Sequence, residues 1–332
     1  MVSRLPSCQI GAVVWRCFGS VRNKVKRQGA EIEQSSAMQG EVTLFLPYCP
    51  PYDWLAILNF LAARAIAGLE VVADGTYYRS ISLDGAQGML AVQNAEEKCA
   101  LKATIRFPGL TSQPEIIARL CRVFDLAADP KMINRQLSID PLMAKLVAAR
   151  PGLRVPGAWD GFELAMRAVL GQQITVGAAV KLAGKLVAQY GEALQEPPAN
   201  RPELTHVFPQ PARLAAADLS TLGMPRARAA TLSAVAAALL DDPHLLDARA
   251  NLDESVKRLC ALPGIGDWTA QYIAIRQLRE PDAFPAGDVG LMQAIALHEG
   301  VKPSAKELTA RAEIWRPWRA YAAQHLWTSI VL

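Results

Sequence analysis

No cysteine follows Cys260, and the six in the chain, Cys8, Cys17, Cys49, Cys99, Cys121 and Cys260, form no C-x-x-C pair. Reduced, mostly buried thiols in a reducing compartment are the expectation. The four histidines are just as scattered, so no metal-ligand spacing appears and no metal is expected. No uninterrupted apolar run reaches the ~18 residues that cross a bilayer. A soluble, cytoplasmic chain without a membrane partner is therefore expected. Acid is missing from the start: no Asp or Glu precedes Glu31, while Arg4, Arg16, Arg22, Lys24, Lys26 and Arg27 are all present. Such a start can be a transit peptide. The preferred expectation for residues 1–40 is a disordered basic extension, either a flexible arm or a fragment of an upstream module. A secretory signal is not expected, since the apolar run is short and broken by Arg16.

What is present is a 332-residue chain, 51% hydrophobic and 20% charged, which has apolar content for a large core in two or three packed units and too little charge for a disordered chain. The net charge of +4 permits a polyanionic partner without demanding one.

From Glu41 the pattern is mixed. "EVTLFL", "YYRSISL", "GMLAVQ" and "ALKATIRF" read as short strands separated by Asp-Gly and Asn-bearing turns. "YDWLAILNFLAARAIAG" and "PEIIARLCRVFDL" have helical spacing. Residues 41–127 are thus expected to form an α+β domain with an antiparallel sheet. After Asp129-Pro130 the strand signal disappears. Ala- and Leu-rich segments divided by Pro and Gly follow, among them "GFELAMRAVLGQQITVGAAVKLAGKLVAQYG", so residues 128–332 are expected to be all-α. No solenoid repeat is visible.

"ALPGIGDWTAQYIAI", Ala261 to Ile275, lacks the third glycine of a dinucleotide fingerprint and follows a helical pattern rather than a strand, which rejects that reading. A helix, a Gly264-Ile265-Gly266 turn and a second helix can instead present backbone amides to a phosphate. The blander reading is a plain αα-corner with a glycine cap. Downstream, "DAFPAGDVGLMQAIALH" places Asp288 after a Pro-Ala-Gly loop at the mouth of a helix. Alone it reads as an N-cap; together with the hairpin it is far more specific.

With these segments the chain resembles the helix-hairpin-helix DNA glycosylases, and more narrowly the bacterial 3-methyladenine DNA glycosylase II family. "PPYDWLAILNFLAARAI", "ARPGLRVPG", "AVLGQQITVGAAVKLA", "LAAADLSTLGMP", "LPGIGDWTAQYIAIR" and "RPWRAYAAQHLW" carry the resemblance over about residues 41–332. It implies a TATA-binding-protein-like α+β domain, then two helical lobes with an active-site cleft between them. It places the catalytic aspartate at Asp288, the hairpin amides at Gly264 and Gly266, and pocket aromatics at Phe60, Trp268, Tyr272 and Trp327. An intercalating wedge falls on Gln173, where some members have leucine. An aromatic after the aspartate is replaced by Val289, and an acid before it by Gly287. These departures touch substrate range and base flipping rather than the reaction class.

The resemblance implies a monomeric enzyme on double-stranded DNA containing alkylated bases, nucleoid-associated when acting. Cationic purines would stack on aromatic faces, and Asp288 would stabilise an oxocarbenium-like sugar and direct water to it. In lyase-active relatives the position of Trp268 carries a lysine that forms a Schiff base. Its absence here implies hydrolysis without strand cleavage, and Lys257 is a poor substitute. Asp267 and Asp282 are rival carboxylates ranked below Asp288, with capping or solvated roles expected. No cofactor is expected: the four-cysteine cluster of some relatives has no counterpart after Cys260, although the resemblance allows a monovalent cation at the hairpin. A non-catalytic lesion-binding protein, or a glycosylase of other damaged purines, is the alternative.

Overall fold

The computed structural model describes residues 41–108 and 112–330. The expected basic extension at 1–40 lies outside them. The N-terminal part is a five-stranded antiparallel sheet of order β1-β5-β4-β3-β2. Its strands are β1 (Glu41–Pro47), β2 (Glu70–Ala73), β3 (Thr76–Leu83), β4 (Ala86–Ala95) and β5 (Ala100–Arg106). The Asp74-Gly75 and Asp84-Gly85 turns have positive φ at both residues (52° and 72°, 50° and 80°). That is the backbone a two-residue hairpin between twisted strands requires, and it explains the Asp-Gly choice. Helices α1 (Trp54–Ala62) and α2 (Gln113–Val123) pack on the sheet through Ile57, Leu58, Leu61, Ile116, Leu120 and Val123.

Helix α1 begins where Asp53 caps it by accepting from the Ala56 amide (3.0 Å). It stops at Ala62 although the sequence remains helix-favouring to Gly68. Ile66 and Leu69 turn inward to complete burial. Glu70 accepts from the Ile66 amide (3.0 Å) and Arg167 donates to the Arg64 carbonyl (2.7 Å). Long-range contacts have overridden local propensity. The "EVVA" strand β2 that follows carries no strong alternation and was not expected.

The rest is helical: α3 (Pro130–Leu137), α4 (Pro141–Ala149), α5 (Gly161–Leu170), α6 (Val176–Tyr190), α7 (Pro211–Ala215), α8 (Arg226–Asp241), α9 (Leu252–Cys260), α10 (Asp267–Ile273), α11 (Val289–Glu299), α12 (Ala305–Ala312) and α13 (Arg319–Ser329). One lobe is built on α5, α6, α8 and the α9–α10 hairpin, with Met166, Leu186, Leu232, Val235 and Ile265 in its core. The other combines α3 and α4 with α11 to α13 around Trp315. The chain therefore crosses between lobes twice. One small departure from the helical expectation is a two-stranded ribbon, β6 (Glu192–Ala193) with β7 (His206–Val207). Two residues per strand leave no periodicity to read, and the ribbon is held by Thr205 and His206 amides donating to the Gly68 carbonyl (2.8 and 3.0 Å).

The thiols need a correction. Among the described residues Cys49, Cys99 and Cys260 are exposed and only Cys121 is partly buried, because the first three fall on loops or helix ends rather than on packed faces; Cys8 and Cys17 lie outside the described residues. Among the described residues no helix is long and apolar enough to cross a membrane.

Sheet and first lobe are joined by buried ion pairs. Glu70 on β2 receives Arg79 (3.2 Å), Arg167 (2.5 Å) and the Tyr77 hydroxyl (2.8 Å). Glu163 on α5 receives Arg167 (2.7 Å) and Arg79. Removing one member of such a set leaves an uncompensated buried charge, at about 3–5 kcal/mol.

Candidate active site

A cavity of about 730 Å³ opens between the sheet domain and the two lobes. The Glu70–Arg79–Glu163–Arg167 set forms one wall, and Phe60, Trp268, Tyr272, Asp288 and Trp327 all line it. Sequence separations of up to 267 positions are thus closed into one site.

The hairpin that frames it starts with α9, capped by Asn251 accepting from the Glu254 amide (2.8 Å). Ile265 is the anchor: it is buried with Leu259, Ala270 and Ile273, while its flanking glycines stay exposed. Gly264 has φ +79°, and a Cβ there would sit 2.0 Å from the Thr231 hydroxyl oxygen. Gly266 has φ −92° and open space where its Cβ would be. The first glycine is therefore required by the turn. The second is not required by packing, and its bare backbone at the start of α10 is available to an anion.

Asp288 caps α11, its Oδ1 accepting from the Leu291 amide (2.9 Å). Oδ1 also accepts the indole N–H of Trp327 on α13 (3.0 Å), and Oδ2 accepts that of Trp268 on α10 (2.5 Å). The capping role and the cleft role expected as alternatives are held by the same residue. A carboxylate has about four acceptor sites. Three are filled here, so the group is fixed in orientation and one site remains for a water or a sugar. Gly290 lies against it, where a Cβ would be 3.0 Å from Oδ1. Val289 is exposed beside it, and Gly287 has no neighbour in reach.

The aromatic wall is ordered. Trp268 stacks on Tyr272 with centroids 5.3 Å apart at 10°, and Tyr272 meets Trp327 edge-on at 6.4 Å. Opposite them Phe60 faces the same space from α1. Two arginines that were not anticipated complete the set. Arg276 places its guanidinium 4.6 Å from Phe60, 5.3 Å from Tyr272 and 5.4 Å from Trp327. Arg64 sits 3.9 Å over Phe60. Burial lowers Arg276 to about 10. Burial raises the Tyr272 phenol, but Arg276 and Arg64 outweigh it and hold the group below its ordinary value. The sequence did carry a signal for both: each arginine stands four residues after a pocket aromatic, Tyr272 or Phe60, a spacing that in a helix would put the two on one face. Arg276 lies in a π-helical turn, Ala274–Leu278, a feature found often at functional sites.

Gln173 lies in the exposed turn between α5 and α6 with φ +58°. Its neighbour Gln172 donates to the Gly264 carbonyl (3.0 Å) and the Thr269 hydroxyl (3.1 Å), and Arg228 donates to the Gln172 carbonyl (2.6 Å). The Gln172-Gln173 turn and the hairpin are thereby clamped together. The rivals lie elsewhere. Asp282 is paired with Arg319 (2.8 Å) and Arg316, and Asp267 is exposed on the first turn of α10. Lys257 is exposed on α9 and does not line the cavity. Among the described residues no group of three or more His, Cys, Asp or Glu is placed to hold a metal ion.

Sheet domain, hairpin and cleft carboxylate together define the helix-hairpin-helix class of base-excision repair proteins. The family description "HhH-GPD superfamily base excision DNA repair protein" matches residues 166–320, and "AlkA N-terminal domain" matches 43–160. The DNA-3-methyladenine glycosylase 2 of Escherichia coli K12 is 38% identical over 285 residues, covering 85% of this chain and 95% of that one. The chain belongs to the 3-methyladenine DNA glycosylase II family. A Mycobacterium tuberculosis protein described as a probable bifunctional transcriptional activator/DNA repair enzyme AlkA is 38% identical over 314 residues. This chain spans 62% of that relative's length. Among solved structures, the 3-methyladenine DNA-glycosylase of Archaeoglobus fulgidus shares the fold at a TM-score of 0.73 and 21% identity, covering 86% of this chain and 96% of that one. The Clostridium acetobutylicum 8-oxoguanine glycosylase/lyase with double-stranded DNA shares it at 0.67 and 18%, covering 90% and 97%.

Proposed function

We propose that this chain is a monofunctional DNA glycosylase that hydrolyses the N-glycosidic bond of alkylated purines in double-stranded DNA, acting as a monomer through residues 41–127 and 128–332. Rotating a nucleotide out of the duplex costs a few kcal/mol. The amides at Gly264 to Gly266 hold the backbone, and Gln173 fills the gap. The extruded base enters the cavity against Tyr272, Trp327 and Phe60. As the C1′–N bond breaks, its electron pair leaves with the base and positive charge develops on the sugar. Asp288 offsets that charge and directs a water to C1′, whose proton passes to the carboxylate and then to solvent. Tryptophan at 268 supplies no amine for a Schiff base.

One observation carries this reading: the Asp288 carboxylate faces the cavity, fixed by three N–H donors and ringed by aromatic side chains. The names of the relatives support the substrate class. The test is incubation of the protein with a methylated duplex. Free methylated purines should appear while the strand stays intact until alkali cleaves the abasic sites. Binding without base release would favour the lesion-binding alternative, and strand cleavage without alkali would remove the monofunctional assignment.

A further inference from the structure

The cavity that aromatic rings would make attractive to a cationic base already contains a cation. Arg276 reaches three of those rings, and Arg64 takes a face of Phe60. A cationic base stacked on the free face of such a ring gains about twofold to thirtyfold from the ring quadrupole. A base stacked at about 3.5–4 Å on the opposite side of a ring from a guanidinium 4.6 Å away lies roughly 8 Å from that charge. At an effective dielectric near 20, repulsion between the two charges takes back roughly thirtyfold. The repulsion matches the upper end of that gain and exceeds the rest of it, so ring faces alone give little preference for charge. An uncharged purine behaves differently: when its glycosidic bond breaks, the departing base takes the electron pair and becomes an anion. The two guanidiniums then stabilise the leaving group. Arg276 lines the cavity and is anchored there by donating to the Pro156 carbonyl (2.8 Å) and to the Gln324 side-chain oxygen (3.0 Å), so its charge is fixed in place.

Resting on the glycosylase reading above, we infer that Arg276 and Arg64 are specificity-determining residues that lower the preference for charged over uncharged purine lesions by acting as fixed counter-charges to the departing base. No further proton donor is invoked; the released base takes its proton from solvent.

The test is single-turnover release of hypoxanthine, which is uncharged in the duplex, and of 7-methylguanine, which is cationic while bonded to its sugar, from otherwise identical duplexes. In Arg64→Gln and Arg276→Gln the hypoxanthine to 7-methylguanine rate ratio should fall about tenfold, and Arg64→Lys should restore it. A merely structural role would slow both reactions together and leave the ratio unmoved. Arg276→Gln loses two internal hydrogen bonds and can fail to fold. Arg64→Gln then carries the test, since the Arg64 guanidinium donates among the described residues to the Phe60 carbonyl at 3.4 Å. A ratio within threefold of wild type in folded Arg64→Gln overturns the inference. Wild-type protein that releases neither base overturns the glycosylase reading itself, and this inference with it.

Discussion

Trp268 and Asp288, twenty positions apart, are joined by a 2.5 Å hydrogen bond from the indole N–H to the carboxylate. At the position where the family resemblance led to the expectation of no Schiff-base lysine, this chain places a donor that fixes the Asp288 carboxylate. The hairpin helix and the helix that carries Asp288 are thereby linked at the cavity wall. Trp268→Phe keeps a ring to stack on Tyr272 but deletes the N–H. A hydrogen bond to a charged group is worth about 1.5–3 kcal/mol. Single-turnover base release should therefore fall roughly tenfold to a hundredfold, with affinity for abasic-site DNA much less changed. Equal losses in both would place the role of Trp268 in binding alone.

The two hairpin glycines should separate stability from DNA affinity. Gly264→Ala meets the Thr231 hydroxyl at 2.0 Å from a positive-φ backbone, and strain of this kind costs about 1–3 kcal/mol. Its thermal midpoint should drop. Gly266→Ala meets nothing within the protein, so its midpoint should hold while the added methyl obstructs the phosphate. Duplex affinity measured across a salt series should be weaker for Gly266→Ala and should have a shallower salt dependence. Unchanged affinity would show that this turn is only a corner.

Acid should destabilise the protein in two overlapping windows. Burial, helped by Arg150 and opposed by Asp53, lowers His325 to about 4. Its folded value lies below the unfolded value near 6.5. The unfolded chain therefore binds that proton first, and stability falls as pH drops from about 6.5 to 4, by about 3 kcal/mol. Burial raises the Glu163 carboxyl, but Arg79 and Arg167 outweigh it and hold it at about 2. Its contribution is present above about pH 4.5 and is lost as pH falls towards 2. Urea unfolding at a series of pH values should show the first slope reduced by up to one proton in His325→Gln, with the second kept. An unaltered slope between pH 6.5 and 4 would mean His325 is already charged in the folded protein.

The sheet was readable because its Asp-Gly turns and alternating strands are local features, and Asp288 because a helix mouth after a Pro-Ala-Gly loop is one too. Its partnership with Trp327 was not, since 39 residues separate them and only the packing of α13 brings them together. The break at "GQQIT" was missed for the same reason. Gln172 and Arg228 stabilise that turn through bonds to distant backbone, while the local sequence offers Gly171 alone as a stop. Arg276 and Arg64 were legible at spacing four from their aromatics, but a helical arginine ordinarily signals a solvated face.

The direct test of the central claim is single-turnover release of 7-methylguanine by Asp288→Asn, alongside its affinity for abasic-site duplex. Asparagine keeps the shape and an oxygen for the cap but loses the charge. The rate should fall by about a hundredfold to a thousandfold or more, while the variant still binds the abasic site. Release at the wild-type rate by a folded Asp288→Asn protein would contradict the account.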